Sequence, residues 1–388
     1  MWLDHDPNWS IALVTQAGSS AFVSLSRALE EHYKNVMSEI SGMRWVHRMG
    51  HSVAVVIPCY CVRSQILPLI QQIGPEVDSV IVVDDACPEE SGRHVCENCS
   101  DRRVTVLRND KNQGVGGAVL NGYKYALQLG ADIIVKLDGD GQMDPRWIKC
   151  LIRPILDGRT DYAKGNRFFN VEGLRSMPRV RLLGNAVLSF FSKISSGYWA
   201  VFDPTNGYTA ISASTLALLP IEKISRGYFF ESDMLFQLGM VRACVVDVPI
   251  DALYANEKSN LVVTRVMYQF LFKHMTNTTK RIAHNYFLRD FSLASIELIV
   301  GICFVFFGTM FGAYHWVESI RMHVTATTGT VMLAALPIIL GVQLLLSFLA
   351  FDIGSTPNMA IHRLLQEVGK PESDNSRELE YKELAKLP

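Results

Sequence analysis

Ala131 to Pro145 reads ADIIVKLDGDGQMDP, an apolar β-branched run that ends in Asp138, Asp140, Gln142 and Asp144. Carboxylates are rarely buried unless paired, so a cluster directly after a core-forming run must have a partner or a ligand. Glycines at 139 and 141 permit tight backbone geometry and leave room for that ligand. Asp144 stands before Pro145 and Arg146, the order expected of a helix cap followed by proline at the first helical position.

Three upstream runs share the character of ADIIVKLD: VAVVIP (53–58), DSVIVVDD (78–85) and RVTVLRN (103–109). Continuous short apolar runs of this kind suit strands buried on both faces. They alternate with segments of helical length, SQILPLIQQIG, ESGRHVCENCS and GGAVLNGYKYALQLG. Strand alternating with helix predicts a mostly parallel, doubly wound α/β sheet. In such sheets ligands sit beyond the carboxyl ends of the strands, where Asp84, Asp85, Asp138 and Asp140 all fall.

Oxygen donors in this pattern suit a hard divalent cation, Mg²⁺ or Mn²⁺, held jointly with phosphate oxygens; Gln142 adds a neutral oxygen to the two aspartates. Pro58 and Tyr60 end the first strand as candidate walls for a base. NQGVGGA (112–118), which contains Gly114, enters a helix but lacks both the Walker lysine and G-x-G-x-x-G. KGNRF (164–168) sets Lys164 and Arg167 close together as a clamp for phosphate, with Asn166 between them. Asp203 lies in a short polar turn, and Glu231 and Asp233 form an acidic pair that could serve as base or cap.

The chain has 388 residues, 37 basic and 38 acidic, and no basic run that would suggest nucleic-acid binding. Two stretches, 293–317 with Glu297 as its single charge and 331–351 with none, are long enough to cross a bilayer as a helical hairpin. Arg265, Lys273, Lys280, Arg281 and Arg289 gather on the approach, and the connector carries Arg321 as its permanent cation. The positive-inside bias therefore places both termini and the bulk of the chain in the cytoplasm. The N-terminus has neither the basic start nor the apolar core of a signal peptide. Cys96 and Cys99 have metal-ligand spacing that Cys59 and Cys61 could complete, but alternation along a strand end turns the latter two to opposite faces, and reduced thiols are expected.

The series VIPCY, VDDACP, NQGVGGA, LDGDGQMDP, KGNRF, DPTNGY and FFESD resembles the family 2 glycosyltransferases of GT-A fold, within them the polyprenyl-phosphate glycosyltransferases of the dolichol-phosphate mannosyltransferase and GtrB type. The resemblance covers residues 53 to about 261. It implies that Asp138, Asp140 and Gln142 meet the metal and the nucleotide-sugar diphosphate, with Gly139 and Gly114 lining the donor. Pro58, Tyr60, Asp84 and Asp85 would hold base and ribose. Arg167, helped by Lys164, would meet the phosphate of a polyprenyl-phosphate acceptor, and Asp203 would sit beside the reacting centre. YANEKSNL (254–261), with Lys258, resembles a segment that covers the nucleotide. One departure is plain: Cys61-Val62 stand where the family reads Asn-Glu.

The expected organisation is therefore an N-terminal extension (1–50, with a possible helix at 26–40), a GT-A domain (51–261), amphipathic juxtamembrane helices (262–291), two transmembrane helices within 292–353, and a polar cytosolic tail (354–388). The expected activity is transfer of one sugar from a UDP- or GDP-sugar to undecaprenyl or dolichyl phosphate, with inversion. Alternatives are a saccharide acceptor, against which the missing Q-x-x-R-W block counts, and a catalytically silent membrane scaffold. Self-association is left open.

Overall fold

The four apolar runs pair as strands in the structure of the protein, a computed structural model that describes residues 51–168, 179–250 and 263–368. They are β1 (Val53–Cys59), β2 (Ser79–Asp84), β3 (Val104–Arg108) and β4 (Ile133–Lys136), and they run parallel to their neighbours. Three more strands, β5 (Tyr162–Asn166), β6 (Thr209–Ser212) and β7 (Val245–Pro249), complete a seven-stranded sheet of order β3-β2-β1-β4-β6-β5-β7. β6 runs antiparallel to both β4 and β5, so the sheet is mixed. The chain winds outward from β1 to β3 and then returns to place β4 on the other side of β1. That reversal opens a crevice at the carboxyl ends of β1 and β4.

Alternation along β1 sends successive side chains to opposite faces. Val55 and Ile57 join Ile66, Ile70 and Leu151 on one side, from helices α1 (Ile66–Gln71) and α4 (Ile148–Leu156). Ala54 and Val56 join Val119, Tyr123 and Met234 on the other, from α3 (Val115–Gln128) and α7 (Phe230–Val241). Each large side chain so enclosed contributes about 1.5–3 kcal/mol. Between them in sequence lie α2 (Ser91–Asn98), α5 (Arg179–Ser196) and the short α6 (Ala213–Ala217).

Beyond the sheet come α8 (Val263–Ala283), a π-helical turn at His284–Arg289, and two long helices, α9 (Leu293–Met322) and α10 (Thr328–Gly354). The latter pair are long and apolar enough to cross a membrane. Both outrun the apolar stretches that announce them. α9 continues through Glu318 and Arg321 until His323 turns left-handed at φ 53°, and the Thr327 hydroxyl caps α10 by accepting from the Thr330 N–H. Helix propagation needs no further apolar residue once a turn is formed, so hydropathy alone reads the spans short.

α8 is amphipathic in an inverted sense. Its polar residues face the domain: His274 Nδ1 pairs with Ser195 Oγ at 2.8 Å, Asn277 donates to Asp233, and Arg281 is buried. Tyr268, Phe272 and Met275, one helical stripe, are 75%, 68% and 55% exposed. Arg281, read as part of a basic approach, is instead committed to Asp352 of α10, Nη1 to Oδ1 at 2.7 Å and Nη2 to Oδ2 at 3.0 Å. Tyr286 Oη and Trp199 Nε1 also donate to Asp352, at 2.6 and 2.9 Å. One buried carboxylate thus fastens the hairpin to the sheet domain.

The tail does not simply extend into solvent. α11 (Ile361–Val368) returns to the sheet, where the N–H groups of Ile361 and His362 and the His362 ring bond to buried Asp161. Burial pulls the Asp161 carboxyl upward, but these bonds, with the Cys244 N–H, outweigh it and hold the group below the usual range. The expected helix at 26–40 and the segment 254–261 with Lys258 lie outside the described residues.

Candidate active site

Asp138 leaves the end of β4 and meets a lysine from within the strand. Lys136 is fully buried, and its Nζ donates to Asp138 Oδ1 at 2.7 Å and to Glu231 Oε1, from the first turn of α7, at 3.2 Å. Burial works against the ammonium, but the two carboxylates outweigh it and hold Lys136 protonated well above the ordinary lysine value. Gly207 closes the cluster: a Cβ there would stand 2.2 Å from Lys136 Nζ and 2.7 Å from Asp138 Oδ2. No side chain larger than hydrogen fits.

The turn DPTNG carries this cluster at one end and Asp203 at the other. Asp203, 1% exposed, receives Arg167 in a fork, Nε to Oδ2 at 2.8 Å and Nη2 to Oδ1 at 3.0 Å. Arg167 remains 24% exposed. Lys164 does not stand beside it as a second phosphate clamp. It points from β5 into the interior, fully buried, and its ammonium donates to the Asn206 carbonyl inside the same turn. Alternation along β5 explains the correction, since residues 164 and 167 leave the strand in different directions. Burial lowers the Lys164 pKa to about 8, against the opposing pull of Asp203, Glu231 and Asp247. Asn166 is likewise occupied, donating to Asp247 Oδ2 at 2.6 Å and accepting the Phe168 N–H at 2.8 Å.

At the ends of β1 and β2 the acidic residues divide in role. Asp84 is spent on the backbone of the next turn, accepting from the N–H groups of Cys87 and Gly92, both at 2.8 Å. Both of its carboxylate oxygens thus brace the turn that leads into α2. Asp85 builds the glycine-rich loop, accepting from Asn109 Nδ2 at 2.7 Å and from the N–H groups of Gln113 and Gly114 at 2.9 and 2.8 Å. Gly114 has φ +81°, and a Cβ would lie 2.8 Å from the Arg226 carbonyl, so conformation and space both require glycine. Pro58 is part-buried, Tyr60 is 48% exposed, and a Cβ on Gly139 would stand 3.1 Å from the Pro58 carbonyl oxygen.

Asp140 Oδ1 accepts the Gln142 N–H at 3.0 Å, fixing the turn of DGDGQ. Asp144 is indeed a cap: it accepts from the Arg146 N–H at 2.9 Å at the start of the 3-10 turn Pro145–Trp147. Asp233 leaves the acidic pair, because it faces α8 and accepts from the Ser225 N–H and Asn277 Nδ2. Burial raises its pKa. Only Glu231 of that pair joins the crevice.

The fit to a divalent cation can be judged from the donors. Asp138 and Asp140 are oxygen ligands suited to Mg²⁺ or Mn²⁺. Among the described residues no group of three or more His, Cys, Asp or Glu is gathered for a metal. Asp138 Oδ1 already accepts from Lys136, so an ion held here would draw most of its shell from phosphate and water. Among the described residues Cys59, Cys61, Cys96 and Cys99 are not gathered into one ligand set.

Lys136, Asn206, Gly207 and Asp247 escaped the sequence reading. A signal existed for Lys136, since a lysine inside a buried apolar strand demands buried anions.

The sheet is mixed α/β with acidic residues gathered at its topological switch point, and sequence comparison states the class. The glycosyl transferase family 2 profile matches residues 54–217. The chain is 30% identical over 232 residues, 56% of its own length, to 92% of the UDP-N-acetylglucosamine–dolichyl-phosphate N-acetylglucosaminyltransferase of Methanococcus voltae. It is 31% identical over 204 residues, 51% of its length, to 82% of the undecaprenyl-phosphate mannosyltransferase of Micrococcus luteus. Among solved structures, glucosyl-3-phosphoglycerate synthase from Mycobacterium tuberculosis, in complex with Mn²⁺, UDP and glucosyl-3-phosphoglycerate, superposes with a TM-score of 0.46 at 17% identity, over 61% of this chain and 86% of that one. The chain belongs to glycosyl transferase family 2 and is a glycosyltransferase.

Proposed function

We propose that this enzyme transfers a single sugar from a nucleotide-sugar to a polyprenyl phosphate at a membrane surface, with inversion at the anomeric carbon. Helix α8 carries the acceptor assignment. An exposed stripe of Tyr268, Phe272 and Met275 beside a hairpin of spanning length suits a protein whose substrate stays in the bilayer. The relatives named for dolichyl and undecaprenyl phosphate support the same reading.

A phosphate monoester is already largely ionised at neutral pH, its second pKa being about 6. The nucleophile therefore needs no proton removed, and positioning with charge management dominates. An acceptor phosphate oxygen attacks the anomeric carbon, the bond to the diphosphate oxygen breaks, and its electron pair leaves with the nucleoside diphosphate. Arg167, oriented by Asp203, holds the acceptor phosphate close to the anionic donor. Asp140, with Asp138 and Gln142, would hold Mg²⁺ or Mn²⁺, which when bound supplies positive charge to the leaving diphosphate. Lys136 balances Asp138 and Glu231, so the crevice can accept an anion without three uncompensated negative groups. Tyr60 and Pro58 flank the base, with the glycine loop held open by Asp85. The sheet domain and both termini face the cytoplasm in this reading, as the basic approach suggests.

The test is transfer itself. Purified full-length protein in detergent, given a short polyprenyl phosphate, Mg²⁺ or Mn²⁺ and a panel of radiolabelled UDP- and GDP-sugars, should yield a labelled, lipid-extractable, acid-labile product. Absence of such a product with every donor, alongside transfer to a saccharide, would overturn the acceptor assignment.

A further inference from the structure

Cys61 and Cys87 meet at the lip of the crevice, where β1 and β2 end. Cys61 is exposed and sits in a left-handed turn at φ 55°, directly after Tyr60. Its backbone N–H donates to Cys87 Sγ at 3.1 Å. Cys87 is held from the other side as well, its N–H on Asp84 Oδ1 at 2.8 Å and its sulfur paired with Ser91 Oγ at 3.2 Å. The contact with the Cys61 N–H sets the Cys87 sulfur directly against the residue that carries the Cys61 thiol.

The two thiols differ in chemistry. Burial pushes the Cys87 thiol up, but bonds from the Ser91 hydroxyl and from the N–H groups of Cys61, Ser91 and Glu89 outweigh it and hold the thiol below its ordinary value. The Cys61 thiol is raised, by partial burial and by Cys87 beside it. Cys59, the third thiol of the neighbourhood, is buried and pushed up to about 12, first by burial and then by Asp84. Exposure lets Cys61 meet an oxidant first, the thiolate-prone Cys87 stands beside it to resolve the mixed disulfide, and Cys59 is excluded by its own burial.

We propose that Cys61 and Cys87 close reversibly to a disulfide in the presence of a small-molecule disulfide, and that closure lowers the affinity of the crevice for nucleotide. The Cys61 thiolate attacks one sulfur of the oxidant RSSR, forming a mixed disulfide and releasing RS⁻. The Cys87 thiolate then attacks the Cys61 sulfur, forms the Cys61–Cys87 bond and expels the second RS⁻. In sum two protein thiols lose two protons and two electrons, and RSSR leaves as two RSH. Closure ties the residue after Tyr60 to the turn that follows Asp85, so the two sides of the base pocket no longer adjust independently. The effect on nucleotide rests on the function proposed above; bond formation does not.

The experiment uses full-length protein in detergent treated with glutathione disulfide. Non-reducing peptide mass spectrometry should find Cys61 linked to Cys87, two hydrogens lighter than the reduced pair, ahead of any other pairing. UDP or GDP affinity should fall at least about tenfold, a change of about 1.4 kcal/mol, and return with dithiothreitol. Cys61→Ser should form no link and show the same nucleotide affinity before and after glutathione disulfide. Glutathione retained on Cys61 without passage to Cys87, or a link to a different cysteine, overturns the pair. A Cys61–Cys87 link with unaltered affinity overturns the gating. If reduced protein binds neither UDP nor GDP, the donor reading fails, while the peptide result still decides the pair.

Discussion

Arg167 grips Asp203 with two parallel hydrogen bonds of 2.8 and 3.0 Å, and the two partners differ sharply in exposure, 24% against 1%. A buried carboxylate that holds a partly exposed guanidinium fixes the direction of its fork. Asp203 is therefore read as the residue that orients Arg167. Asp203→Asn, which keeps shape but removes charge, should lower transfer at least about tenfold, corresponding to about 1.4 kcal/mol. The loss should appear in KM for the lipid, with nucleotide affinity measured by calorimetry unchanged. Arg167→Lys should behave likewise, because a point charge cannot replace the fork.

Lys136 should be critical to stability. Lys136→Met strands the carboxylates of Asp138 and Glu231, and breaking a buried ion pair costs about 3–5 kcal/mol. The expected result is a marked drop in Tm that is partly relieved at acid pH, where the carboxylates take up protons. Gly207→Ala tests the same cluster sterically and should also lose transfer, since its Cβ would displace Lys136 Nζ.

Lys164 predicts a pH dependence. Its folded pKa of about 8 lies below the ordinary 10.5, so between those values the unfolded chain binds more protons than the folded one. Stability then rises with pH across that window, and the cost of the buried charge is fully present below pH 8. Lys164→Met should flatten the rise, measured as Tm against pH relative to the parent protein. An identical slope in both proteins would remove Lys164 as its source.

Metal dependence tests Asp140. Chelation by EDTA should abolish transfer, and Mg²⁺ or Mn²⁺ should restore it. Asp140→Asn should weaken Mn²⁺ binding, followed by electron paramagnetic resonance in the presence of UDP or GDP, without lowering the unfolding free energy by more than about 1 kcal/mol.

Asp352 fastens the hairpin to the domain through Arg281, Tyr286 and Trp199. Asp352→Asn should leave the buried Arg281 charge without its counter-ion, at a cost of about 3–5 kcal/mol. Limited proteolysis in detergent should then cut near 284–292, while binding of nucleotide by the sheet domain persists.

Much of this molecule was legible from residue pattern because the pattern answers to local physics. β-branched runs had to be strands, buried on both faces in β1, β2 and β4 though not in the edge strand β3, Asp144 before Pro145 had to cap, and two long apolar stretches had to be spanning-length helices. DGDGQ likewise had to lie at a strand end. What the pattern could not assign was the use of each carboxylate and cation. Asp84, Asp85, Asp138 and Asp233 look alike in sequence, yet one braces a turn, one builds a loop, one meets Lys136 and one receives Asn277.

Sequence by itself determined the first four strands and the helices between them, the place of the oxygen donors and the apolar length of the hairpin. Each depends on spacing within a few residues. Tertiary structure alone decided that Lys136 reaches Glu231 across 95 residues, that Lys164 turns inward while Arg167 stays at the surface, and that Asp352 anchors the hairpin to Arg281. The reason is physical: a charge is committed by whichever partner the fold brings within about 3 Å, and no local pattern encodes that distance.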